Sequence, residues 1–189
     1  GPSLVDSQGS VWSADANYNT GLTFATNLPI AGTEDDSLYQ SERWDSLNNT
    51  PLVYSFILEP GEHTVRLHFA EVYSGASQPG QRVFDVFVEG RLVLDNFDIA
   101  AMAGFQTAYV EEFDVTLNDT MLDIEFRHVV ENPKISAIEV IPKTATPNLV
   151  ASPASISFGE TQVGAVSASQ SITLDNTGDA VLNVSGIAV

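Results

Sequence analysis

The 189-residue chain has no cysteine, only two lysines (Lys134 and Lys143), two tryptophans and two methionines. It also has no apolar run approaching the roughly 18 residues needed to span a bilayer. Without cysteine, a disulfide scaffold and a thiolate zinc site are excluded. Without a long apolar run, membrane insertion is not expected. Basic residues are scarce: 7 Lys and Arg stand against 25 Asp and Glu, for a formal net charge of -18. Such a surface repels phosphate backbones and anionic lipid, so nucleic acid is excluded as a partner. The chain also lacks a G-x-S-x-G turn, which together with the missing thiol removes the common nucleophile motifs. Glycoside hydrolysis asks for two carboxylates flanking one bond. Among 25 acids some pair falls in range by chance and none singles itself out, so the chain is read as no enzyme.

The three histidines form no metal signature. His63 and His68 are five residues apart in one strand and therefore on opposite faces, and His128 shares a face with Leu122, Ile124 and Phe126. No cofactor is called for. Calcium stays open, because Asp35 and Asp36, or Asp95, Asn96 and Asp98, place hard oxygen ligands in turns.

What is present is strand signal. Hydrophobic residues make up 43% of the chain. The segments TPLVYSFIL, EHTVRLHFAEVY, RVFDVFVEG, RLVLDNFDI, MLDIEFRHV and KISAIEVI are strand-length, β-branched or aromatic, and bounded by turn residues. Glu59-Pro60-Gly61-Glu62 and Glu89-Gly90 read as tight connections between antiparallel neighbours. RVFDVFV is apolar on both faces, which suits a central strand covered on both sides. The fold class is all-β, an antiparallel two-sheet β-sandwich followed by a partial β unit.

The texture divides the chain. Residues 1–10 are read as a tag scar and leader, since Gly1-Pro2-Ser3 resembles what protease removal of a tag leaves. The main domain runs over 11–142. Prolines and small polar residues mark 143–154 as a linker. Residues 155–189 alternate apolar and polar in three short strands, with a turn at Asn176-Thr177-Gly178-Asp179. Asn-x-Ser/Thr sequons begin at Asn48, Asn118 and Asn183.

The segment LYQSERW (38–44) poses a functional question. In an extended backbone Leu38, Gln40, Glu42 and Trp44 point one way and Tyr39, Ser41 and Arg43 the other. Tyr39 is assigned to the core, while Trp44 either covers a sheet edge or forms a ligand platform.

AGTEDDSLYQSERW, RLHFAEVYSGASQPGQRVFDVFVEGRLVLDNFDI, EEFDVTLNDTMLDIEF and ENPKISAIEVIP, in this order and spacing, resemble the malectin-like carbohydrate-binding domains. The resemblance covers roughly Val11 to Pro142. It implies a lectin-type sandwich that binds a short glucose-containing or glucan-type saccharide in loops at one end, without cleaving it. It also implies an extracellular or cell-surface location. The family's sugar-holding positions correspond here to Trp44, Tyr73 and Glu131, with Phe24 or Tyr18 as the upstream aromatic. Where a family member carries a second aromatic after the tyrosine, this chain has Ser74. Arg43 joins the candidate set only if its strand twists or ends at the site.

SISFGETQVG and SITLDNTGDAVLNVSGI resemble the opening half of immunoglobulin-like domains of the abnormal-spindle and hydin type, found in tandem on bacterial surface proteins. A domain of that type cut at Val189 leaves an unpaired edge, so self-association through this β unit is expected. The alternative function is a protein-interaction or spacer module of a surface adhesin.

Overall fold

The computed structural model describes residues 1–46, 50–144 and 146–186; the sequon at Asn48 lies outside the described residues. The chain divides into two units, Gly1–Lys143 and Thr144–Val189. In chain order the first contains β1 (Leu4–Val5), β2 (Val11–Trp12), β3 (Leu22–Ala25), the one-turn helix α1 (Asp36–Tyr39), β4 (Ser41–Trp44), β5 (Leu52–Ile57), β6 (Gly61–Phe69) and a 3-10 turn at Ser74–Ala76. There follow β7 (Val83–Val88), β8 (Arg91–Phe97), the short helix α2 (Ile99–Met102), β9 (Tyr109–Leu117), β10 (Met121–Val130), β11 (Lys134–Ile135) and β12 (Ala137–Pro142). The second unit holds β13 (Leu149–Ser152) and β14 (Thr173–Asn176), paired antiparallel.

Two antiparallel sheets, ordered β5-β10-β7-β8 and β12-β6-β9, form the sandwich of the first unit. Their inner rows meet in one core: Leu52, Phe84, Val86, Leu122, Ile124 and Phe126 from one sheet, Val65, Leu67, Phe69 and Leu117 from the other. Phe69 bridges the layers, its ring centroid 4.9 Å from that of Phe97 and 6.0 Å from that of Phe84. Glu89 (φ 51°) and Gly90 (φ 70°) close the β7–β8 hairpin. Two positive φ values give the loop the twist that antiparallel partners require.

Several expectations change. The connection at 59–62 is no hairpin, because β5 pairs with β10 while β6 pairs with β9 and β12; the chain crosses there between sheets. β7 alternates, with Phe84, Val86 and Val88 buried and Phe87 facing outward under the Arg127 guanidinium, 3.9 Å from the ring centroid. β9, the nine-residue partner of β6, is not among the expected strands. Its inward row includes Glu111 beside Phe113 and Val115, so the two adjacent acids hide the alternation, and Tyr109 donates its hydroxyl to the Glu111 carboxylate.

LYQSERW is extended only from Ser41 onward. Residues 36–39 form α1, with Asp36 in its positively polarised first turn and Leu38 and Tyr39 buried. Residues 1–10 enter the fold through the β1–β2 pair. In the second unit, 149–152 pair as β13, and among the described residues of 155–189 only Thr173–Asn176 is a strand. Most of the remaining apolar side chains described there, Val163 and Val181 among them, are exposed and none is fully buried, so among the described residues no buried apolar face holds further strands in register.

The outer face of β6 has its own small core. Leu38, Tyr39, Ile30 and Val72 pack there with Trp12 and Leu4. Within it His68 meets the edge of Trp12 at 5.2 Å and hydrogen-bonds the Tyr39 hydroxyl through Nδ1 at 2.9 Å. Burial holds the His68 pKa below its usual value, only partly opposed by the Glu139 carboxylate. The Tyr39 hydroxyl is pushed up to about 12, by burial first and by Asp35 second.

Two outcomes are expected. Phe69→Ala empties the centre of the core and should lower the unfolding free energy by about 3–5 kcal/mol; a loss under about 1 kcal/mol in urea titration would contradict this packing. For His68, the unfolded chain takes up a proton near pH 6.5 while the folded chain resists it to lower pH. In that window the unfolded state binds more protons, so stability falls as pH drops below about 6.5. His68→Gln should flatten this decline, and an unchanged pH dependence would assign it to other groups.

Candidate functional site

A third sheet, ordered β11-β4-β3, carries the candidate site. Alternation along β4 places Glu42 and Trp44 on one face and Arg43 on the other. Across the ladder Phe24 lies opposite Glu42, while Leu22 and Lys134 flank Trp44. Tyr73 arrives after β6 and stands edge-on to Phe24, centroids 6.5 Å apart at 78°. Its ring lies over the backbone of Gly75, where a Cβ would fall 2.4 Å from a ring carbon. Glycine at that position lets the aromatic lie back.

From the β10–β11 connection come Glu131, at φ 60°, and Asn132. Together Phe24, Glu42, Trp44, Tyr73, Arg82, Glu131 and Asn132 line a cleft of about 210 Å³. The structure thus brings Trp44, Tyr73, Glu131 and Phe24 into one place, with Tyr73 46% exposed and its ring available to a ligand.

It does not bring Arg43 there. Arg43 is 7% exposed and faces the other way: its Nε donates to Asp15 Oδ2 at 2.8 Å and its Nη1 to the Gly21 carbonyl at 2.7 Å. Its guanidinium carbon sits 3.3 Å from the Tyr18 ring centroid. Tyr18, the other aromatic weighed for the site, belongs to this reverse cluster. Asp15 also accepts from the Tyr54 hydroxyl at 2.8 Å, and burial followed by this carboxylate raises the Tyr54 pKa.

Behind the cleft lie charged pairs that the sequence patterns did not single out. Lys134 Nζ is fully buried, donating to Glu42 Oε2 and to the Ala70 carbonyl. Arg82 Nε donates to Glu71 Oε2 at 2.7 Å and its Nη1 donates to the Asn132 carbonyl. Glu71 Oε1 accepts from the backbone N–H of Tyr73 at 2.9 Å. One guanidinium therefore links the Tyr73 wall to the Glu131–Asn132 wall. On the far side His128 Nδ1 donates to the Glu131 carbonyl at 3.1 Å, and Nε2 lies 2.9 Å from Asp45 Oδ2. Glu42 was legible as sharing Trp44's face. Arg82 and Asn132 carry no local signal, since only the fold brings 71, 82 and 132 together.

Of the turn acids considered for calcium, Asp35, Asp95 and Asp98 are engaged with protein donors. Asp35 accepts from Ser7 N and Oγ at 2.6 and 3.0 Å, and Asp98 caps α2 through the Ala101 N–H at 3.0 Å. Among the described residues no three His, Cys, Asp or Glu side chains converge as a metal site. A larger recess of about 430 Å³ lies between segment 1–17, β5 and β12, lined by Trp12, Tyr54 and Phe56, by Asp15 and Glu139, and otherwise mainly by aliphatic and small residues. It contains none of the candidate residues, and its Tyr54 ring is buried, whereas Phe24 and Tyr73 of the smaller cleft are 38% and 46% exposed.

The profile of the malectin domain family matches residues 1–138. Malectin-B of Xenopus laevis is 32% identical over 139 residues, covering 65% of this chain and 49% of that protein. Human malectin is 33% identical over 138 residues, covering 64% and 46%. A probable LRR receptor-like serine/threonine-protein kinase of Arabidopsis thaliana is 36% identical over 105 residues, covering 53% and 10%. The chain thus spans about half the length of each malectin and a tenth of the kinase. Among solved structures, the extracellular domain of ANXUR2 from Arabidopsis thaliana superposes with a TM-score of 0.66 at 18% identity, over 74% of this chain and 46% of that one. A Bacteroides uniformis beta-glucuronidase gives 0.64 at 18%, over 74% and 16%. With most of its length matched by the family profile, this chain belongs to the malectin domain family.

Proposed function

We propose that the chain is a noncatalytic carbohydrate-binding module that takes a short glucose-containing saccharide in the cleft of Phe24, Trp44, Tyr73 and Glu131. The observation that carries this reading is the convergence of three aromatic rings and a carboxylate from four separate segments on one cleft. A pyranose offers an apolar face of C–H groups and a rim of hydroxyls. Flat aromatics cover the face at low entropic cost, and a carboxylate accepts charge-assisted bonds from neighbouring hydroxyls. At about 210 Å³ the cleft is smaller than the roughly 300–1,000 Å³ typical of drug-sized ligand sites. It fits one ring and leaves the rest of the saccharide in solvent.

Membership of the malectin family supports binding without cleavage. We read the parent protein as extracellular, a setting that the strongly acidic composition suits. We also read the second unit as immunoglobulin-like, a reading with which its antiparallel β13–β14 pair is compatible.

Calorimetric titration of maltose, cellobiose, laminaribiose and short glucans into the parent and into Trp44→Ala tests the proposal. The parent should bind at least one saturably. The variant, folded by circular dichroism, should bind it at least about tenfold more weakly, as expected when a stacking surface is lost. Flat titrations with the parent would return the cleft to a partner-binding role.

A further inference from the structure

The rings and Glu131 do not account for the base of the cleft. Glu42 is 2% exposed and Arg82 4% exposed, yet both line it. Each is neutralised from behind, Glu42 by Lys134 and Arg82 by Glu71. Neither is used up by that partner. Among the described residues Glu42 Oε1 and Arg82 Nη2 make no hydrogen bond, and neither is an orphaned atom sealed in the core. The cleft is what remains for them to face.

Resting on the sugar-binding reading, we propose that Glu42 and Arg82 form a specificity-determining floor that recognises a neutral hydroxyl of the bound ring. A guanidinium only donates and a carboxylate only accepts. A group satisfying both must donate to Glu42 Oε1 and accept from Arg82 Nη2, and a hydroxyl does so. A methyl ether lacks the proton for Glu42. A uronate carboxylate satisfies Arg82 but meets Glu42 as a like charge at short range, in surroundings too dry to screen it. The floor therefore selects unmodified, uncharged sugar over its O-methylated or oxidised counterparts. Because the carboxylate and the guanidinium are already held from behind, little ordering cost attends recognition.

The test is a double-mutant cycle between protein and ligand, using maltose and cellobiose, their monodeoxy and mono-O-methyl derivatives, and the parent, Glu42→Gln and Arg82→Lys proteins. Removing the one hydroxyl that reaches the floor should weaken binding to the parent roughly tenfold or more, the scale of a hydrogen bond to a charged group. In Glu42→Gln the same removal should cost much less. Additive losses at every hydroxyl would overturn the floor while leaving the sugar site intact. Binding of neither sugar by the parent would overturn both readings. Should Glu42→Gln unfold because Lys134 loses its partner, Glu131→Gln decides: the loss at the floor hydroxyl persists in it, and its disappearance there would move recognition to the rim.

Discussion

The buried ion pair of Lys134 with Glu42 is the constraint on which the rest of the site depends. Desolvating two charges costs several kcal/mol per ion before their attraction repays it, so such a pair is a poor source of net stability. Its value is geometric. Lys134 Nζ also binds the Ala70 carbonyl, so one ammonium fixes β11, β4 and the end of β6 relative to one another. Removing either partner would strand a charge in the interior, which makes the alignment hard to relax. Arg82 repeats the device one step away, joining Glu71, and through it the Tyr73 backbone, to Asn132. The aromatic walls and the acidic rim are held by the same four charged side chains.

This arrangement explains why one short strand serves two purposes. On β4 the face bearing Glu42 and Trp44 opens to the cleft, while Arg43 on the reverse is consumed by Asp15, the Gly21 carbonyl and the Tyr18 ring. The reverse cluster ties the N-terminal segment to the sheet and the front cluster builds the site. An aromatic next to an arginine in sequence thus says little about whether both reach a ligand. The pleat separates them.

Much of the sandwich could be read from local chemistry, because β-branched and aromatic runs bounded by turn residues are strands wherever a second layer covers them. The Glu89-Gly90 hairpin was legible for the same local reason: Gly90 supplies a positive φ, although the positive φ of Glu89 was not legible. What escaped required long-range information. β9 carries an acid on its inward row and looks broken until Tyr109 is seen to satisfy it. The 59–62 connection looks like any tight turn, and only the ladders show that it changes sheets. In the site, Trp44, Tyr73, Phe24 and Glu131 were reached through family resemblance. Arg82 and Asn132, by contrast, acquire meaning only from distances between segments that sequence spacing does not encode.

The most direct test of the account is a crystal structure of the protein with maltose or cellobiose bound. It should show one sugar ring against Trp44 and Tyr73, with hydroxyls on Glu131 at the rim and the remaining ring in solvent. A sugar seated instead in the recess under residues 1–17, or on an outer sheet face, would contradict the assignment of the cleft as the binding site.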